Sequence, residues 1–220
     1  MDNYKEKYRP RLLKEIVGQP AVASLASIVA DPCPCCLLLS GPTGTGKSTA
    51  AQAIARQLGC YDDVFETAYT ICGADLDADS IRHWFGSESP FRFRAPRGWH
   101  VLIIEELELL SKTAGILLKD CLERKLSQFG NVIVVATSNE TAGIPPAVVD
   151  RFKSYIFDGG AQFSARMARY IAAIWKHENP STPLPANWKA WGWNRDSEEF
   201  SACRAIDACE EAARLCTVHP

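Results

Sequence analysis

The most informative part of the sequence is GPTGTGKST at residues 41–49. An apolar run, CLLL (residues 36–39), precedes it, and an alanine-rich stretch (residues 48–58) follows it and stops at Gly59. A short apolar run predicts a buried strand, whereas alanine favours a helix and glycine ends one. The sequence therefore predicts a strand, a glycine-rich turn and a helix in that order, an arrangement that binds phosphate at the helix N-terminus.

Each residue type in this motif has a chemical reason. The glycines let the backbone curl so that its N–H groups point at phosphate oxygens. Lys47 reaches the β and γ phosphates, and the Ser48 hydroxyl joins the coordination shell of Mg²⁺. We therefore favour an ATP and Mg²⁺ site over an ordinary glycine turn. The residues predicted to bind the nucleotide here are Gly41, Thr43, Gly44, Thr45, Gly46, Lys47, Ser48 and Thr49.

Two carboxylates follow the apolar run VLII (residues 101–104). Phosphoryl transfer needs one carboxylate to hold Mg²⁺ through water and another group to orient the attacking water. Glu105 is predicted for the first task, together with Ser48 as a metal ligand, and Glu106 for the second. The alternative is that both residues merely begin a solvated helix, since Glu108 lies close by.

The composition is that of a globular protein with a sizeable core, because 47% of the 220 residues are hydrophobic. The formal net charge is −2, so any polyanion contact must come from a local patch. We expect a cytoplasmic protein without a membrane segment, because no apolar stretch reaches about 18 residues. Of the nine cysteines, Cys33, Cys35 and Cys36 cluster. Packing explains this cluster better than zinc, for which a fourth ligand at a matching spacing is missing.

Further strands are predicted at residues 132–136 and 154–157, and helices at residues 20–30, 111–129, 163–177 and 200–215. Strands that alternate with helices indicate an α/β fold with a parallel sheet. Gly159 and Gly160 break the pattern. We therefore predict a nucleotide-binding domain over residues 1–159 and a small all-helical domain over residues 160–220.

These motifs resemble the AAA+ ATPases, and among them most closely the small subunits of sliding-clamp loaders such as replication factor C. The segments KEKYRP (residues 5–10) and IVGQ (residues 16–19) are similar to the family's N-terminal segment. The resemblance implies that Tyr8, Arg9, Val17 and Gly18 lie near the adenine base. It also implies that the C-terminal helices form a lid over the nucleotide.

Three further residues take their expected roles from the resemblance. Asn139, which follows the strand at residues 132–136, matches the polar residue called sensor 1. Arg151 lies in the arginine-finger segment, which implies an oligomer in which it acts in trans on a neighbour's ATP. Arg204, in SACRA (residues 201–205), resembles the sensor 2 arginine of the lid. Their alternatives are, respectively, a turn residue, a surface arginine and an exposed helix arginine.

Three departures qualify the resemblance. Glu105 replaces the usual aspartate, so we expect an ATPase whose turnover is slow. The finger segment reads DRF (residues 150–152) where clamp loaders have Ser-Arg-Cys. The C-terminal collar domain of clamp loaders is expected to be lacking.

The resemblance implies DNA and a sliding clamp as partners, in a homo- or hetero-oligomer that acts in DNA replication or repair. Arg82 is the candidate phosphate contact, although acidic residues surround it. The segment FRFRAPR (residues 91–97) combines aromatics with arginines and suits single strands, but also fits an ordinary surface loop. Two alternatives stay open: a protein remodeller with pore-loop residues at 69–73, or an ATP-switched scaffold that hydrolyses weakly.

Overall fold

Five parallel strands form the central sheet of the computed structural model, which describes residues 3–61, 66–124, 126–194 and 199–218. Their spatial order is β2-β3-β4-β1-β5. The strands are β1 (Cys35–Ser40), β2 (Ala68–Cys72), β3 (His100–Glu105), β4 (Val132–Ser138) and β5 (Lys153–Ile156). The helices are α1 (Tyr4–Lys7), α2 (Ala21–Ala30), α3 (Lys47–Gln57), α4 (Ala78–Phe85), α5 (Lys112–Arg124), α6 (Pro146–Val149), α7 (Ala161–Glu178) and α8 (Ala202–Val218).

Both faces of the sheet are buried, which explains why the central strands read as continuous apolar runs. Leu37 and Leu39 of β1 face a cluster with α2 and α3, whereas Leu38 between them faces a cluster with α4 and α5. Successive side chains of a strand point to opposite faces, so one run supplies both cores.

The carboxyl ends of the central strands lie at one edge of the sheet. Ser40 at the end of β1 is in register with Ser138 at the end of β4, and Glu105 ends β3 beside them. The chain leaves β1 towards β2 on one side and later returns to place β5 on the other side. The crevice at such a reversal is where open α/β sheets bind ligands.

The predicted α/β fold is confirmed, and the four predicted strands lie within one or two residues of β1, β3, β4 and β5. Strand β2 was missed, because only the short alternation AYTIC marks it. The helix predicted over residues 111–129 is shorter: α5 ends at Arg124, and Leu126–Gln128 form a separate 3₁₀ turn.

The C-terminal helices form a third core of their own. Phe163, Met167 and Ile171 recur every four residues along α7 and pack against Ala205 and Cys209 of α8. A short antiparallel pair, β6 (Trp193–Asn194) and β7 (Glu199–Phe200), accompanies the helices and was not predicted. The domain boundary after residue 159 stays a prediction; it lies between β5 and α7.

None of the helices in the described ranges is long and apolar enough to cross a membrane. Within those ranges, no three Cys, His, Asp or Glu side chains converge as a metal site of their own. Cys36 is buried and Cys35 half-buried in the sheet cores, whereas Cys33 is exposed.

The N-terminal segment is fastened to the C-terminal helices by charged contacts. The Tyr4 N–H donates to Glu210 over 3.0 Å, and Lys5 pairs with Asp207 over 2.7 Å. At the end of α7, Glu178 accepts from Lys7 over 2.7 Å and from the Tyr8 hydroxyl. The donors Lys7, Tyr8 and His177 lower the pKa of Glu178 to about 2.

The Glu178 contacts predict a pH-dependent contribution to stability. The folded pKa lies below the ordinary value of 4.5, so the ionised carboxylate stabilises the fold above that pH and less as pH falls towards 2. We expect Glu178→Gln to lower the free energy of unfolding by about 1–2 kcal/mol at neutral pH, measured by urea unfolding.

The difference between the wild type and Glu178→Gln should shrink as pH falls from about 5 to about 3. Glu211 is exposed on the same domain. The control variant Glu211→Gln should therefore change the unfolding free energy by less than about 0.5 kcal/mol. A Glu178→Gln effect that is equal at all pH values would show that the carboxylate charge is not responsible.

Candidate functional site

The loop between β1 and α3 depends on three glycines with positive φ: 140° at Gly41, 76° at Gly44 and 100° at Gly46. Side-chain-bearing residues rarely adopt such angles. Space is also lacking, since a Cβ on Gly41 would lie 2.0 Å from the Phe157 carbonyl oxygen. Helix α3 begins without a side-chain cap at Gly46. Its first N–H groups are therefore turned towards the loop, where a phosphate oxygen would satisfy them.

Lys47 brings together two residues that the sequence analysis named separately. It is buried at the first position of α3. Its Nζ donates to the carbonyl oxygens of Gly41 over 2.6 Å and Pro42 over 2.8 Å. It also donates to Oδ1 of Asn139 over 3.0 Å. The predicted sensor thus contacts the predicted phosphate-binding cation directly, across the crevice between β1 and β4.

Glu105 and Glu106 leave β3 in different conformations. Glu105 is the last strand residue and is half-buried, whereas Glu106 is exposed and has φ 54° and ψ 53°. Among the described residues, Glu106 is the one non-glycine residue with positive φ. Such a conformation costs about 1–2 kcal/mol and is typical of functional positions.

Neighbouring residues hold Glu106 in this conformation. Its N–H donates to Thr137 Oγ1 over 3.4 Å, and the Cys72 thiol lies 3.9 Å from its Oε2. A Cβ on Gly73 would lie 2.4 Å from the Glu106 carbonyl oxygen. A glycine at the end of β2 is therefore needed where the two backbones meet.

Glu108 is a site residue that the sequence analysis took only for part of an acidic stretch. Its Oε1 accepts from the backbone N–H of Asn139 over 2.9 Å. Burial raises the pKa of Glu108, but the hydrogen bonds from Asn139 and its surroundings outweigh this and lower it. Glu108 therefore fixes the backbone of Asn139, and no spacing in the sequence signalled the contact.

A polar pocket forms where these residues meet. Most of the residues predicted for phosphate, Mg²⁺ and the attacking water line it, and so do three that were not predicted. The lining is Arg9, Thr43, Gly44, Gly46, Lys47, Ser48, Thr49, Glu105, Glu106, Thr137, Ser138, Asn139 and Cys203. Carboxylate and hydroxyl oxygens are the ligands that Mg²⁺ prefers, so Ser48 and Glu105 suit that ion.

An apolar pocket adjoins the polar one. Tyr8, Arg9 and Val17, which were predicted to lie near the adenine base, line it, and Arg9 lines both pockets. Gly18 lies just outside, where a Cβ would meet the Phe163 ring at 3.0 Å. Further lining residues were not predicted: Ile16, Phe163, Met167, Tyr170, Ala202, Cys203 and Ile206. The helix over residues 163–177 was predicted, but not that part of α7 borders a pocket.

Gln19 joins the N-terminal segment to the glycine loop. It is buried, and its Nε2 donates to the carbonyl oxygens of Thr45 over 3.1 Å and Asp158 over 2.8 Å. Its Oε1 accepts from the Asp158 N–H over 2.9 Å. One amide therefore connects the glycine loop to the segment that follows β5.

Helix α8 begins directly on the glycine loop. The Ala202 N–H donates to the Gly44 carbonyl oxygen over 3.0 Å. Cys203 lines both pockets, whereas the side chain of Arg204 is exposed and lines neither. Successive helical residues point about 100° apart, so when Cys203 faces the pockets Arg204 turns away. Arg204 therefore lies outside both pockets in this arrangement, and its contact with a nucleotide stays a prediction.

More than half of the chain matches one protein family. Residues 37–159 match the family described as ATPase family associated with various cellular activities (AAA). The match covers more than half of the 220 residues. This chain belongs to the AAA family.

Curated relatives of this AAA chain include replication factor C subunits, which confirms the predicted similarity. The small subunit of Haloarcula marismortui is 31% identical over 173 residues, which are 76% of this chain and 51% of that protein. Subunit 3 of Saccharomyces cerevisiae is 26% identical over 176 residues, which are 79% of this chain and 50% of that protein. This chain thus spans about half the length of these two relatives.

Among solved structures, the RuvB Holliday junction branch migration motor of Thermotoga maritima superposes with a TM-score of 0.71. The likeness covers 96% of this chain and 67% of that one, at 20% sequence identity. At that identity the likeness shows the fold alone, which is the AAA fold with its parallel sheet.

Two arginines predicted from the AAA resemblance lie outside both pockets. Arg151 is half-buried after α6, and its Nη2 contacts Glu123 of α5 over 2.9 Å. Arg82 is exposed on α4 and pairs with Asp79 over 2.7 Å. Neither contact tests the predicted roles, which concern a neighbouring subunit and DNA.

The contact between the glycine loop and α8 predicts that Gly44 tolerates no side chain. A Cβ there would lie 2.0 Å from Ser201 Oγ, and φ is already positive. We expect Gly44→Ala to weaken nucleotide binding at least about tenfold, because either the loop or the start of α8 must shift. Titration with a fluorescent ATP analogue measures this.

Gly143→Ala is the matched control, since its Cβ would meet its nearest neighbour at 3.4 Å, an ordinary contact. Circular dichroism confirms that both variants fold. Wild-type affinity in Gly44→Ala would show that the loop does not require this glycine.

Proposed function

We propose that this chain binds ATP with Mg²⁺ and hydrolyses it. The observation that carries the proposal is the convergence of Lys47, Glu105, Glu106 and Asn139 on one polar pocket that adjoins an apolar one. The polar pocket suits the phosphates and the apolar pocket suits the base. Membership of the AAA family supports the same activity.

Each of these residues has a distinct role in ATP binding or hydrolysis. Lys47 and the N–H groups at the start of α3 bind the phosphates, and Ser48 with Glu105 holds Mg²⁺. The ion, when bound, neutralises phosphate charge. Glu106 orients the attacking water, and Asn139, fixed by Glu108, contacts the phosphate end of the substrate. Because Glu105 carries one methylene more than aspartate, we propose that ATP turnover is slow.

Arg9 is the second cation of the polar pocket, beside Lys47, and it lines the apolar pocket as well. It is held by Glu6 over 2.7 Å and by Gln52 over 3.3 Å. Because Arg9 and Cys203 line both pockets and Arg204 lines neither, we propose that Arg9 rather than Arg204 supplies the positive charge from the same subunit near the sugar and inner phosphates.

We further propose a clamp-loader-like role in DNA replication or repair, acting in an oligomer with a sliding clamp and DNA. The replication factor C relatives support this role. The remodeller alternative is less favoured, because Tyr69 lies in β2 and packs against Trp84 at a ring distance of 4.9 Å. A pore loop needs that aromatic to be accessible. The ATP-switched scaffold stays an alternative, because glutamate in place of aspartate at residue 105 is compatible with weak hydrolysis.

Two substitutions separate binding from turnover. We expect Lys47→Ala to lose ATP binding, because it removes the buried cation of the phosphate pocket. Glu106→Gln should keep ATP affinity within about threefold and lower the hydrolysis rate about 100-fold or more, because an amide cannot accept the water's proton. Steady-state phosphate release and titration with a fluorescent analogue measure the two effects. Normal hydrolysis by Glu106→Gln would refute its assignment.

The trans role of Arg151 predicts complementation. Arg151→Ala alone should lower the hydrolysis rate at least about 100-fold. Mixed with Glu106→Gln subunits it should regain activity, since such a mixture contains interfaces with an intact Glu106 and an intact Arg151. Arg124→Ala, in which an exposed arginine on α5 is removed, is the control and should hydrolyse normally. No recovery at any mixing ratio would argue against a shared site.

The DNA-directed role is tested by measuring the ATPase rate and the oligomer mass with and without primed DNA. Stimulation by DNA supports the clamp-loader-like role, and stimulation by an unfolded protein supports a remodeller. Assembly with ATP but without turnover supports the scaffold.

A further inference from the structure

The segment at residues 90–98, here called the Phe93 loop, connects α4 to β3 and is not used by the nucleotide site. Phe91 and Ala95 are buried, whereas Phe93 between them is 74% exposed. Phe93 is the most exposed phenylalanine of the described residues. Among their large apolar side chains, only Ile116 and Ile156 are equally exposed. An exposed ring of this size gains no burial free energy from the fold.

The ring is exposed on a well-anchored backbone. The Phe93 N–H donates to the Pro90 carbonyl oxygen over 3.2 Å, and His100 Nε2 contacts the Phe93 carbonyl oxygen over 2.8 Å. Phe91 packs against Trp84 at a ring distance of 5.7 Å. Phe93 is therefore presented to solvent by a fixed loop.

The loop carries three exposed arginines, Arg92, Arg94 and Arg97. Residues 89–100 contain no acidic residue, and the nearest one along the chain is Glu88, although the chain as a whole carries −2. The Arg92 side chain already has contacts within the protein. Its Nε donates to the Gly86 carbonyl oxygen over 3.1 Å, and its guanidinium lies 5.4 Å from the Phe129 ring. A turn closed by the Gly98 N–H and the Ala95 carbonyl oxygen carries Arg97.

The loop lies at the opposite edge of the sheet from the nucleotide pocket. It leads into His100 at the start of β3, whereas Glu105 at the other end of that strand lines the phosphate pocket. A ligand on the loop would therefore leave the nucleotide site open.

We propose that the Phe93 loop binds single-stranded nucleic acid. Phe93 stacks on a base, and Arg94 and Arg97 contact the phosphates on either side of it. One isolated ring offers too little apolar area to anchor a protein interface, which needs a cluster of buried side chains. Base stacking needs one accessible ring face and nearby cations, and it is sequence-tolerant. The proposal deepens the DNA-directed role proposed above and rests on it.

Fluorescence anisotropy with a labelled oligothymidine of about 20 nucleotides, longer than one such contact site, tests the proposal on the whole chain. Phe93→Leu keeps apolar bulk and removes the aromatic face, so we expect its affinity to fall at least about fivefold. The double variant Arg94→Gln and Arg97→Gln should bind more weakly and show a salt dependence smaller by roughly one to two in logarithmic slope.

Arg169→Gln is the matched control, since Arg169 is exposed on α7, whose buried residues belong to a different cluster from that of Phe91, and it should bind as the wild type does. ATPase rates without DNA are measured for every variant and should be unchanged, which separates failure of this proposal from failure of the nucleotide site. No binding by the wild type, or wild-type affinity in Phe93→Leu, would overturn the proposal. Loss in the arginine variant alone would also overturn it, because charge without stacking would then explain the binding.

Discussion

The backbone shape of the glycine loop organises the site around it. Its three positive-φ glycines permit that shape, and Thr45 and Lys47 hold it from within through loop carbonyl oxygens. Other parts of the chain hold it from outside: Gln19 from the N-terminal segment, Asn139 from the end of β4 and Ala202 from the start of α8. Each contact ends on a loop carbonyl oxygen or on Lys47, so the loop is the point where three distant segments meet.

The N-terminal segment connects the apolar pocket to the C-terminal helices. It lines the pocket on one side, and α7 and α8 line it on the other. Glu178 of α7 and Glu210 of α8 hold the same segment. A nucleotide that fills both pockets would therefore contact this segment and both helices, which gives ligand binding a physical route to a movement of the helices.

The sequence was most informative at positions where one backbone conformation or one chemical role restricts the residue type. The strand, glycine loop and helix could be predicted because buried strands, positive φ and helix N-termini each restrict composition. Glu108 could not be found, because an acidic residue in an acidic stretch carries no signal until folding brings it to Asn139. Helix α8 is a different case: the helix could be predicted, but not that Cys203 rather than Arg204 lines the pockets, because one residue on a helix changes the direction of a side chain by about 100°.

We propose that one nucleotide is enclosed jointly by the loop, the N-terminal segment and the start of α8. Hydrogen–deuterium exchange can be measured with and without a non-hydrolysable ATP analogue and Mg²⁺. We expect slower exchange with the analogue in all three segments, at residues 41–49, 8–17 and 202–206. Slower exchange in residues 41–49 alone, with the other two segments unchanged, would contradict it.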